Sequence, residues 1–202
     1  MTQFGLFRAP LSLVAGERGE VTYHADFLPA AFSDAAFATL RDGVDWHANQ
    51  RVMYEREVDV PRLTAHFPLE HLQERDAEGI CADAAAILCE AAARVTDALG
   101  APFNSIGLNF YRDGNDSVAP HNDRLQDLVE RAPIALVSFG GTRRMLIRSK
   151  RPGEPAVPID LEAGSLLVMS YASQLHYTHG VAKTKAKVGS RISVALRVRP
   201  RS

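Results

Sequence analysis

The chain has 202 residues, enough for one domain with a well-buried core, and its hydrophobic (46%) and charged (23%) fractions exclude disordered and fibrous proteins. A formal net charge of −1 excludes a protein that coats nucleic acid over its whole surface, although it leaves room for local basic patches. No stretch approaches the roughly 20 apolar residues of a membrane span. Cys81 and Cys89 have neither metal spacing nor a disulfide framework. We therefore expect a soluble, cytoplasmic, monomeric protein with reduced thiols.

Two elements are predicted near the start of the chain. Residues 21–28 form a short β-rich run that predicts a strand closed by Phe27-Leu28-Pro29. Ser33-Asp34 is a plausible N-cap for a helix from Ala35 to Arg41, because Ser and Asp side chains accept hydrogen bonds from the first free amides of a helix. We therefore expect a strand followed by a helix.

The next segment, residues 47–69, is polar, contains two prolines and shows no sustained period. It is therefore predicted to be irregular strand and loop, and one interpretation is a lid over a binding site. From Leu72 to Leu99, Ala, Ile and Leu recur at intervals of three and four residues, which predicts a long helix. Gly100 is a fitting residue to end it.

Beyond Gly100 the pattern changes to short β-rich runs separated by turn residues. The predicted strands are residues 105–112, 134–139, 143–148, 165–170, 176–181 and 191–198. Helices followed by many short strands predict an α+β fold, a double-sheet roll with the helices covering one sheet. We expect a single domain over residues 1–202, with helices and lid in about 1–100 and the core in about 101–200.

A candidate metal site lies in Pro120-His121-Asn122-Asp123. In a strand, residues two apart point to the same face, so His121 and Asp123 can present an imidazole and a carboxylate together. A distant histidine would complete the 2-His-1-carboxylate triad of non-haem Fe(II) oxygenases. His176 and His179 both qualify, and because they are three apart in a predicted strand only one can face the metal. The alternative for His-x-Asp alone is a surface ion pair or a core histidine.

A candidate anion site lies in the last predicted strand. One face of that strand is apolar, with Ile192, Val194, Leu196 and Val198. The other face carries Arg191, Ser193, Ala195 and Arg197. Arginines on an inner face are costly to bury unless they meet an anion, so this pattern favours a carboxylate ligand, unless the face is simply exposed on an edge strand. Asn109 and Tyr111 have the same parity in residues 105–112 and supply hydrogen-bond donors.

Taken together, these motifs resemble the AlkB family of nucleic-acid dioxygenases. The matching core segments are Asn109-Phe110-Tyr111, His121-Asn122-Asp123, Arg131-Ala132-Pro133-Ile134, Ser138-Phe139-Gly140, His179-Gly180 and Arg191-x-Ser193-x-x-x-Arg197. Further matches occur in the first half of the chain, at Phe27-Leu28-Pro29, Trp46 and Pro61-Arg62-Leu63-Thr64. The resemblance therefore covers about residues 21–199.

The resemblance implies a double-stranded β-helix, or jelly roll, with helices packed on one sheet and a lid of loops over the open end. It implies Fe(II) held by His121, Asp123 and His179, with 2-oxoglutarate and O2 as co-substrates. His179 is preferred to His176 by its interval to Arg191, which is the interval seen in the family.

The resemblance also implies how 2-oxoglutarate is held. Arg197 would pair with its C5 carboxylate, while its C1/C2 end would bind iron near Arg191. Asn109 and Tyr111 match positions that also hold the co-substrate. Ser193 stands where the family often has Asn, which keeps a hydrogen-bonding side chain at that position.

The implied activity is oxidative demethylation of N1-methyladenine or N3-methylcytosine in DNA, which releases succinate and formaldehyde. A base inside a duplex cannot reach a buried site, so the substrate is expected to be single-stranded or flipped out. DNA is the expected partner, with RNA as the alternative. The candidate substrate contacts are Tyr54, Arg62, His66 and Arg124.

Two departures from the family pattern lie where substrate is chosen. Relatives usually carry an acidic residue two positions beyond the metal aspartate, and here that position is Leu125. An aromatic residue of some relatives is replaced by His66, which stacks less well than Trp. Leu125 favours an alternative function, a 2-oxoglutarate-dependent hydroxylase of a small molecule, lipid or protein. A non-catalytic nucleic-acid-binding module on the same fold is a third hypothesis.

Overall fold

The computed structural model describes residues 9–53, 56–74 and 77–200. Within these ranges the strands are β1 Leu11–Val14, β2 Val21–His24, β3 His47–Met53, β4 Arg56–Pro68, β5 Ser105–Tyr111, β6 Val118–His121, β7 Ile134–Gly140, β8 Arg143–Ser149, β9 Val157–Leu161, β10 Leu166–Met169, β11 Tyr177–Val181 and β12 Arg191–Arg197. The helices are α1 Ala30–Gly43, α2 Ala82–Leu99 and α3 Ser173–His176, with short 3-10 turns at His71–Gln73 and Leu125–Asp127.

The strands form two antiparallel sheets. The larger sheet has eight strands in the order β1-β2-β10-β7-β12-β5-β4-β3, and the smaller has four in the order β6-β11-β8-β9. The last strand, β12, lies in the middle of the larger sheet between β5 and β7, with Ser193 opposite Asn109 on one side and Ser138 on the other. It is therefore not an edge strand, and the exposed-edge alternative for its arginines does not apply.

Two hydrophobic cores lie on the two faces of the larger sheet. On one face, Ile192, Val194 and Leu196 of β12 pack in a cluster that includes Leu40 of α1 and Leu88 of α2. On the other face, a second cluster contains residues of both sheets, among them Tyr111, Leu136, Met145, Val181 and Ala195. The alternation predicted for β12 is thus observed, because its apolar face meets the helices and its polar face meets the space between the sheets.

Both predicted helices exist, but each begins elsewhere than expected. Helix α1 starts at Ala30 after Pro29, whose carbonyl accepts the Ser33 amide at 3.0 Å, so Ser33 is a buried residue within the first turn rather than a cap. Proline is well suited to a helix start because its missing N–H would be unpaired there.

Helix α2 begins at Ala82, and the predicted start at Leu72 is wrong. The preceding segment is drawn towards the end of α1, where the Cys81 amide donates to the Gly43 carbonyl at 2.7 Å and Val44 forms a bridge with Ile80. The predicted end is confirmed, since Gly100 is left-handed (φ 62°) and its amide donates to the Thr96 carbonyl at 2.8 Å.

Residues 47–69 were predicted to be irregular strand and loop, and the described part of this segment is two strands, β3 and β4. Strands β3 and β4 pair antiparallel and β4 pairs in turn with β5, so this segment extends the larger sheet. The alternation of polar Arg62, Thr64 and His66 with apolar Leu63, Ala65 and Phe67 carries the signal, but it is short and follows a long polar stretch.

The six strands predicted in the second half of the chain are confirmed to within a few residues. Strands β6 and β9 in that half, and β1 near the start of the chain, were not predicted. The fifth of these predicted strands, 176–181, begins one residue later at Tyr177, because His176 still belongs to α3. Among the helices in the described ranges, none has the length and apolar character to cross a bilayer.

Candidate active site

A cavity of about 530 Å³ lies between the two sheets and gathers most of the predicted site residues. The predicted residues that line it are Arg62, His66, Asn109, Tyr111, His121, His179, Arg191, Ser193 and Arg197. The larger sheet supplies one wall through β4, β5 and β12, and the smaller sheet supplies the other through β6 and β11. Residues separated by up to 135 positions in the sequence thus share one space.

Two histidines lie side by side on neighbouring strands of the smaller sheet. His121 ends β6 and is paired with His179 of β11, and their ring centroids lie 4.4 Å apart. His179 is 6% exposed, and burial followed by the charge of His121 lowers its pKa to about 3, so its imidazole is neutral near pH 7. The Nδ1 atom of His121 lies 2.9 Å from the Ala119 carbonyl oxygen and must donate, which leaves Nε2 as an electron-pair donor.

Asp123 reaches the site by a route that the sequence reading did not foresee. β6 ends at His121, so Asp123 lies beyond the strand and shares no strand face with that histidine. Its carboxylate accepts two hydrogen bonds from Arg197, Nε to Oδ2 at 2.8 Å and Nη2 to Oδ1 at 2.9 Å. Its backbone amide donates to Oε1 of Gln174 at 3.0 Å. Within the described ranges, no three acidic, histidine or cysteine side chains form a preassembled metal cluster.

Electrostatics keep Asp123 ionised despite its position. Burial acts to raise the pKa of its carboxyl, but the hydrogen bonds and charge of Arg197, with the charges of His179 and His121, outweigh burial and lower that pKa overall. The ion pair with Arg197 is itself largely buried, at 11% and 17% side-chain exposure for Asp123 and Arg197. Asp123 is therefore held in its charged form, and the cation that it binds in the structure is Arg197.

The two alternatives for the third histidine are separated by the structure. His176 is exposed at the end of α3 and does not line the cavity, whereas His179 is buried in it beside His121. His176 therefore cannot take the role that was left open for it.

Arg191 is the most unusual side chain of the site. It is fully buried, and its Nη2 donates to Ser138 Oγ at 3.0 Å, while Nε and Nη1 have no hydrogen-bond partner. Its guanidinium lies over the ring of Tyr111, 5.4 Å from the centroid, and that ring is contacted from elsewhere by Arg143 at 5.6 Å. Burial lowers the pKa of Arg191, which reflects how costly this cation is without an anion.

The two arginines of β12 have different partners in the structure. Arg197 was expected to offer its guanidinium to the C5 carboxylate of 2-oxoglutarate, yet two of its nitrogens are already bound to Asp123. Arg191, expected near the C1/C2 end, is the arginine with unpartnered N–H groups. Arg191 therefore keeps unpartnered N–H groups, whereas the guanidinium of Arg197 is bound to Asp123.

The remaining predicted contacts are distributed unevenly. Arg62 lines the cavity and its Nε donates to Asn109 Oδ1 at 2.5 Å. The ring of His66 lies at the cavity rim, with Nε2 2.9 Å from Ser105 Oγ. Arg124 is exposed and does not line the cavity, and Tyr54 falls outside the described residues.

The site also contains residues that were not predicted from the sequence. His47 of β3 and Gly107 of β5 line the cavity, and Gln174 of α3 binds the Asp123 backbone. Pairing of His47 with Thr64 and of Gly107 with His66 brings the first two onto the same face. The parity of β4 would have revealed them once that segment was taken as a strand.

Comparison with known proteins decides the family. The family model described as "2OG-Fe(II) oxygenase superfamily" matches residues 20–197. The chain belongs to the 2OG-Fe(II) oxygenase superfamily. Among curated relatives, this oxygenase is 29% identical to rat (Rattus norvegicus) alpha-ketoglutarate-dependent dioxygenase alkB homolog 3, over 96% of this chain and 68% of the relative. It is 33% identical to bovine (Bos taurus) DNA oxidative demethylase ALKBH2, over 48% of this chain.

The alignments span 38% of that bovine relative's own length and 40% of its human (Homo sapiens) counterpart. The oxygenase is placed in the AlkB family by these relatives together with the superfamily match. Two solved structures share its fold. OsALKBH1 superposes with a TM-score of 0.57 and 16% sequence identity, over 92% of this chain and 99% of that one. A Pseudomonas putida prolyl-4-hydroxylase superposes with a TM-score of 0.54 and 17% sequence identity, over 90% of this chain and 93% of that one. The fold is therefore the jelly roll expected from the sequence.

The residues present fit the cofactors that the superfamily name implies. Two imidazoles and an ionised carboxylate are a donor set suited to Fe(II). The two buried, unpartnered nitrogens of Arg191 are the complement of a carboxylate such as that of 2-oxoglutarate.

Proposed function

We propose that this dioxygenase removes methyl groups oxidatively from N1-methyladenine and N3-methylcytosine in DNA, with succinate and formaldehyde as products. The observation that carries the dioxygenase chemistry is the cavity in which a buried arginine with two unpaired nitrogens shares space with His121 and His179. The nucleic-acid substrate is supported by similarity to the bovine DNA oxidative demethylase ALKBH2, which matches 48% of this chain.

His121, His179 and Asp123 would hold Fe(II), which supplies activation of O2 when bound. Arg191 would take the C5 carboxylate of 2-oxoglutarate through Nε and Nη1, and the Tyr111 ring lies beside its guanidinium. Arg197 positions the Asp123 carboxylate and balances its charge. Each of these side chains is held by its own strand or ion pair before any ligand arrives, which limits the reorganisation that binding requires.

The cavity also restricts water around the reacting groups. Apolar side chains from both sheets line it beside the candidate ligands, among them Leu108, Leu136 and Met145. Ser193 and Asn109 add hydrogen-bonding groups on the larger sheet, and Asn109 is itself fixed by Arg62. Exclusion of water favours coupling of 2-oxoglutarate turnover to substrate oxidation, because reactive species are then not lost to solvent.

A second cavity of about 710 Å³ supports a polyanionic substrate. It is lined by the cations Arg62, Arg148 and Lys183 together with apolar residues such as Pro61 and Leu146. It shares Arg62, Val118 and His121 with the central cavity, so the two spaces adjoin at a candidate metal ligand. Cations beside an apolar floor suit phosphates beside bases.

In this proposal the β3–β4 hairpin acts as the lid. Its residue Arg62 borders both cavities, so the hairpin forms a wall over which the target base would enter. A base paired in a duplex could not pass this wall, and single strands should therefore be at least as good as duplex DNA. RNA is a second candidate substrate for the same reason.

Base choice is proposed to be weak. Leu125 lies on a 3-10 turn two residues beyond Asp123 and offers no acceptor for the exocyclic amine of adenine or cytosine. His66 is held by Ser105 at the cavity rim and gives a smaller stacking surface than a tryptophan would. Discrimination between adenine and cytosine lesions should then be small.

The test is mass spectrometry of a panel of methylated DNA and RNA oligonucleotides after incubation with enzyme, Fe(II), 2-oxoglutarate and ascorbate. Loss of the methyl group together with succinate formation is the expected result. Succinate without repair of any oligonucleotide would replace the proposal with a hydroxylase of a small molecule, lipid or protein. Oligonucleotide binding without succinate would favour a non-catalytic binding module.

A further inference from the structure

Gln174 is a buried glutamine that the proposed reaction does not use directly. It lies on α3, is 2% exposed, and does not line the central cavity. Its Oε1 accepts the backbone amide of Asp123 at 3.0 Å. Its Nε2 donates to Ser173 Oγ at 3.0 Å and contacts Met169 Sδ at 3.9 Å. Both ends of the side chain amide are therefore satisfied, which fixes its orientation.

The position of this contact in the fold gives it weight. Regular pairing between β6 and β11 stops at His121 opposite His179, so the chain has left the sheet when it reaches Asp123. Arg197 then holds the Asp123 carboxylate, and Gln174 holds the Asp123 backbone. The carboxylate could rotate about the side-chain bonds, but the Gln174 contact limits where its Cα can lie.

The helix that carries Gln174 is itself fixed to the sheet. The Lys150 side chain donates to the Gln174 carbonyl oxygen at 2.9 Å, and the Lys150 amide donates to the His176 carbonyl oxygen at 2.8 Å. Helix α3 runs directly into β11, which carries His179. One rigid segment therefore presents His179 through its backbone and Asp123 through a side-chain hydrogen bond.

We propose that Gln174 is a positioning residue for the metal centre, which ties the Asp123 loop to the segment that bears His179. The inference rests on the proposed assignment of His121, Asp123 and His179 as iron ligands. Groups that orient ligands without touching the metal typically contribute 10- to 100-fold to metal affinity, and the Gln174 hydrogen bond belongs to that class.

The test compares Gln174→Met with Ser173→Ala. Methionine keeps the length and volume of the glutamine but removes the acceptor for the Asp123 amide. Ser173→Ala lies on the same buried turn and removes the other partner of the Gln174 amide while leaving Oε1 intact. The full-length protein, freed of metal by a chelator, would be titrated with Co(II) by visible absorption and with Fe(II) in an anaerobic competition assay.

We expect Gln174→Met to weaken metal binding by about 10- to 100-fold and Ser173→Ala by less than about 3-fold, with similar melting temperatures. Equal metal affinities in Gln174→Met and the wild type would overturn the inference. Equal losses in both variants would also overturn it, because the effect would then follow from the packing of α3. Loss of binding in His121→Ala checks the metal site separately, so failure of the proposed ligands is distinguishable from failure of the Gln174 role.

Two further measurements apply if Gln174→Met does not fold. Gln174→Asn keeps the amide but is one methylene shorter, and it should fold with reduced metal affinity. In the wild-type protein, the Asp123 backbone amide should exchange with solvent slowly although it lies outside the strands. Exchange of that amide as fast as in an open loop would contradict the proposal.

Discussion

The two walls of the central cavity are built in different ways. On the larger sheet, Arg191 and Ser193 of β12 face the cavity at every second position, and Asn109 and Tyr111 of β5 stand opposite them in continuous register. On the smaller sheet, pairing supports the two histidines only, and Asp123 is held by side chains from β12 and α3. In the proposed assignment the larger sheet is the co-substrate wall, which is fixed by backbone pairing, and the smaller sheet is the metal wall, which depends on a few tertiary hydrogen bonds.

The largest effect should come from the histidines of the metal wall. Ala at His121 or at His179 should abolish Fe(II) binding and succinate formation, because each change would remove one of the three proposed protein ligands from an open site. Metal titration and a succinate assay would measure both losses. His176→Ala is the matched control and should retain activity, since His176 is exposed outside the cavity. An inactive His176→Ala beside an active His179→Ala would refute the assignment.

The second largest effect should come from Arg191, one of the two arginines on the co-substrate wall. Arg191→Ala should raise the KM for 2-oxoglutarate by roughly 10- to 100-fold, because it would remove the unpartnered donors proposed to bind a buried carboxylate. Arg191→Lys should recover only part of the loss, since lysine lacks the planar pair of donors. Steady-state kinetics at saturating oligonucleotide would measure the KM for 2-oxoglutarate in both variants. An unchanged KM in a folded Arg191→Ala variant would remove Arg191 from the co-substrate site.

Arg197 should behave differently although it lies on the same strand. Arg197→Ala frees the Asp123 carboxylate from its only described ion pair, so we expect weaker metal binding with a smaller change in the KM for 2-oxoglutarate than in Arg191→Ala. Metal titration of the two variants side by side would test this. If Arg197→Ala instead raises the KM for 2-oxoglutarate more than Arg191→Ala does, the original sequence-based assignment is right.

The same contrast explains what the sequence could reveal. Strand parity predicted the inward face of β12 and the partners on β5, because alternation in a regular strand fixes which side chains share a face. The hairpin β3–β4 was missed because its alternation is confined to about six residues after a polar stretch. Gln174 was missed for another reason, since its contact with Asp123 joins positions 51 apart through a side chain and leaves no local pattern.

The position of Arg197 depends in turn on the glycine of the neighbouring strand. A Cβ at Gly107 would lie 3.3 Å from Arg197 Nη1, which is tighter than ordinary contact but is the end of a flexible side chain. Gly107→Ala should therefore be tolerated, while Gly107→Leu should displace the guanidinium from Asp123 and occupy part of the cavity. We expect a several-fold loss of kcat/KM in the leucine variant with a nearly unchanged melting temperature. Equal activity of both variants would show that the space above Gly107 is not used.

The smallest effect concerns the cations outside both walls. The second cavity, called the outer cavity from here on, is lined by Arg148 and Lys183. Both side chains are exposed and have no acidic partner among the described residues. If they contact phosphates, changing both to Ser should raise the KM for oligonucleotide a few-fold and lower the slope of log affinity against log salt by about 1 per lost contact. Turnover of 2-oxoglutarate without oligonucleotide should not change, because neither residue lines the central cavity. Arg144→Ser is the matched control on the same strand, since Arg144 is bound through two nitrogens to Asp160 and should contribute little to phosphate binding. If Arg144→Ser reduces binding as much as the double variant does, the effect is one of general surface charge and the outer cavity is not the path of the nucleic acid.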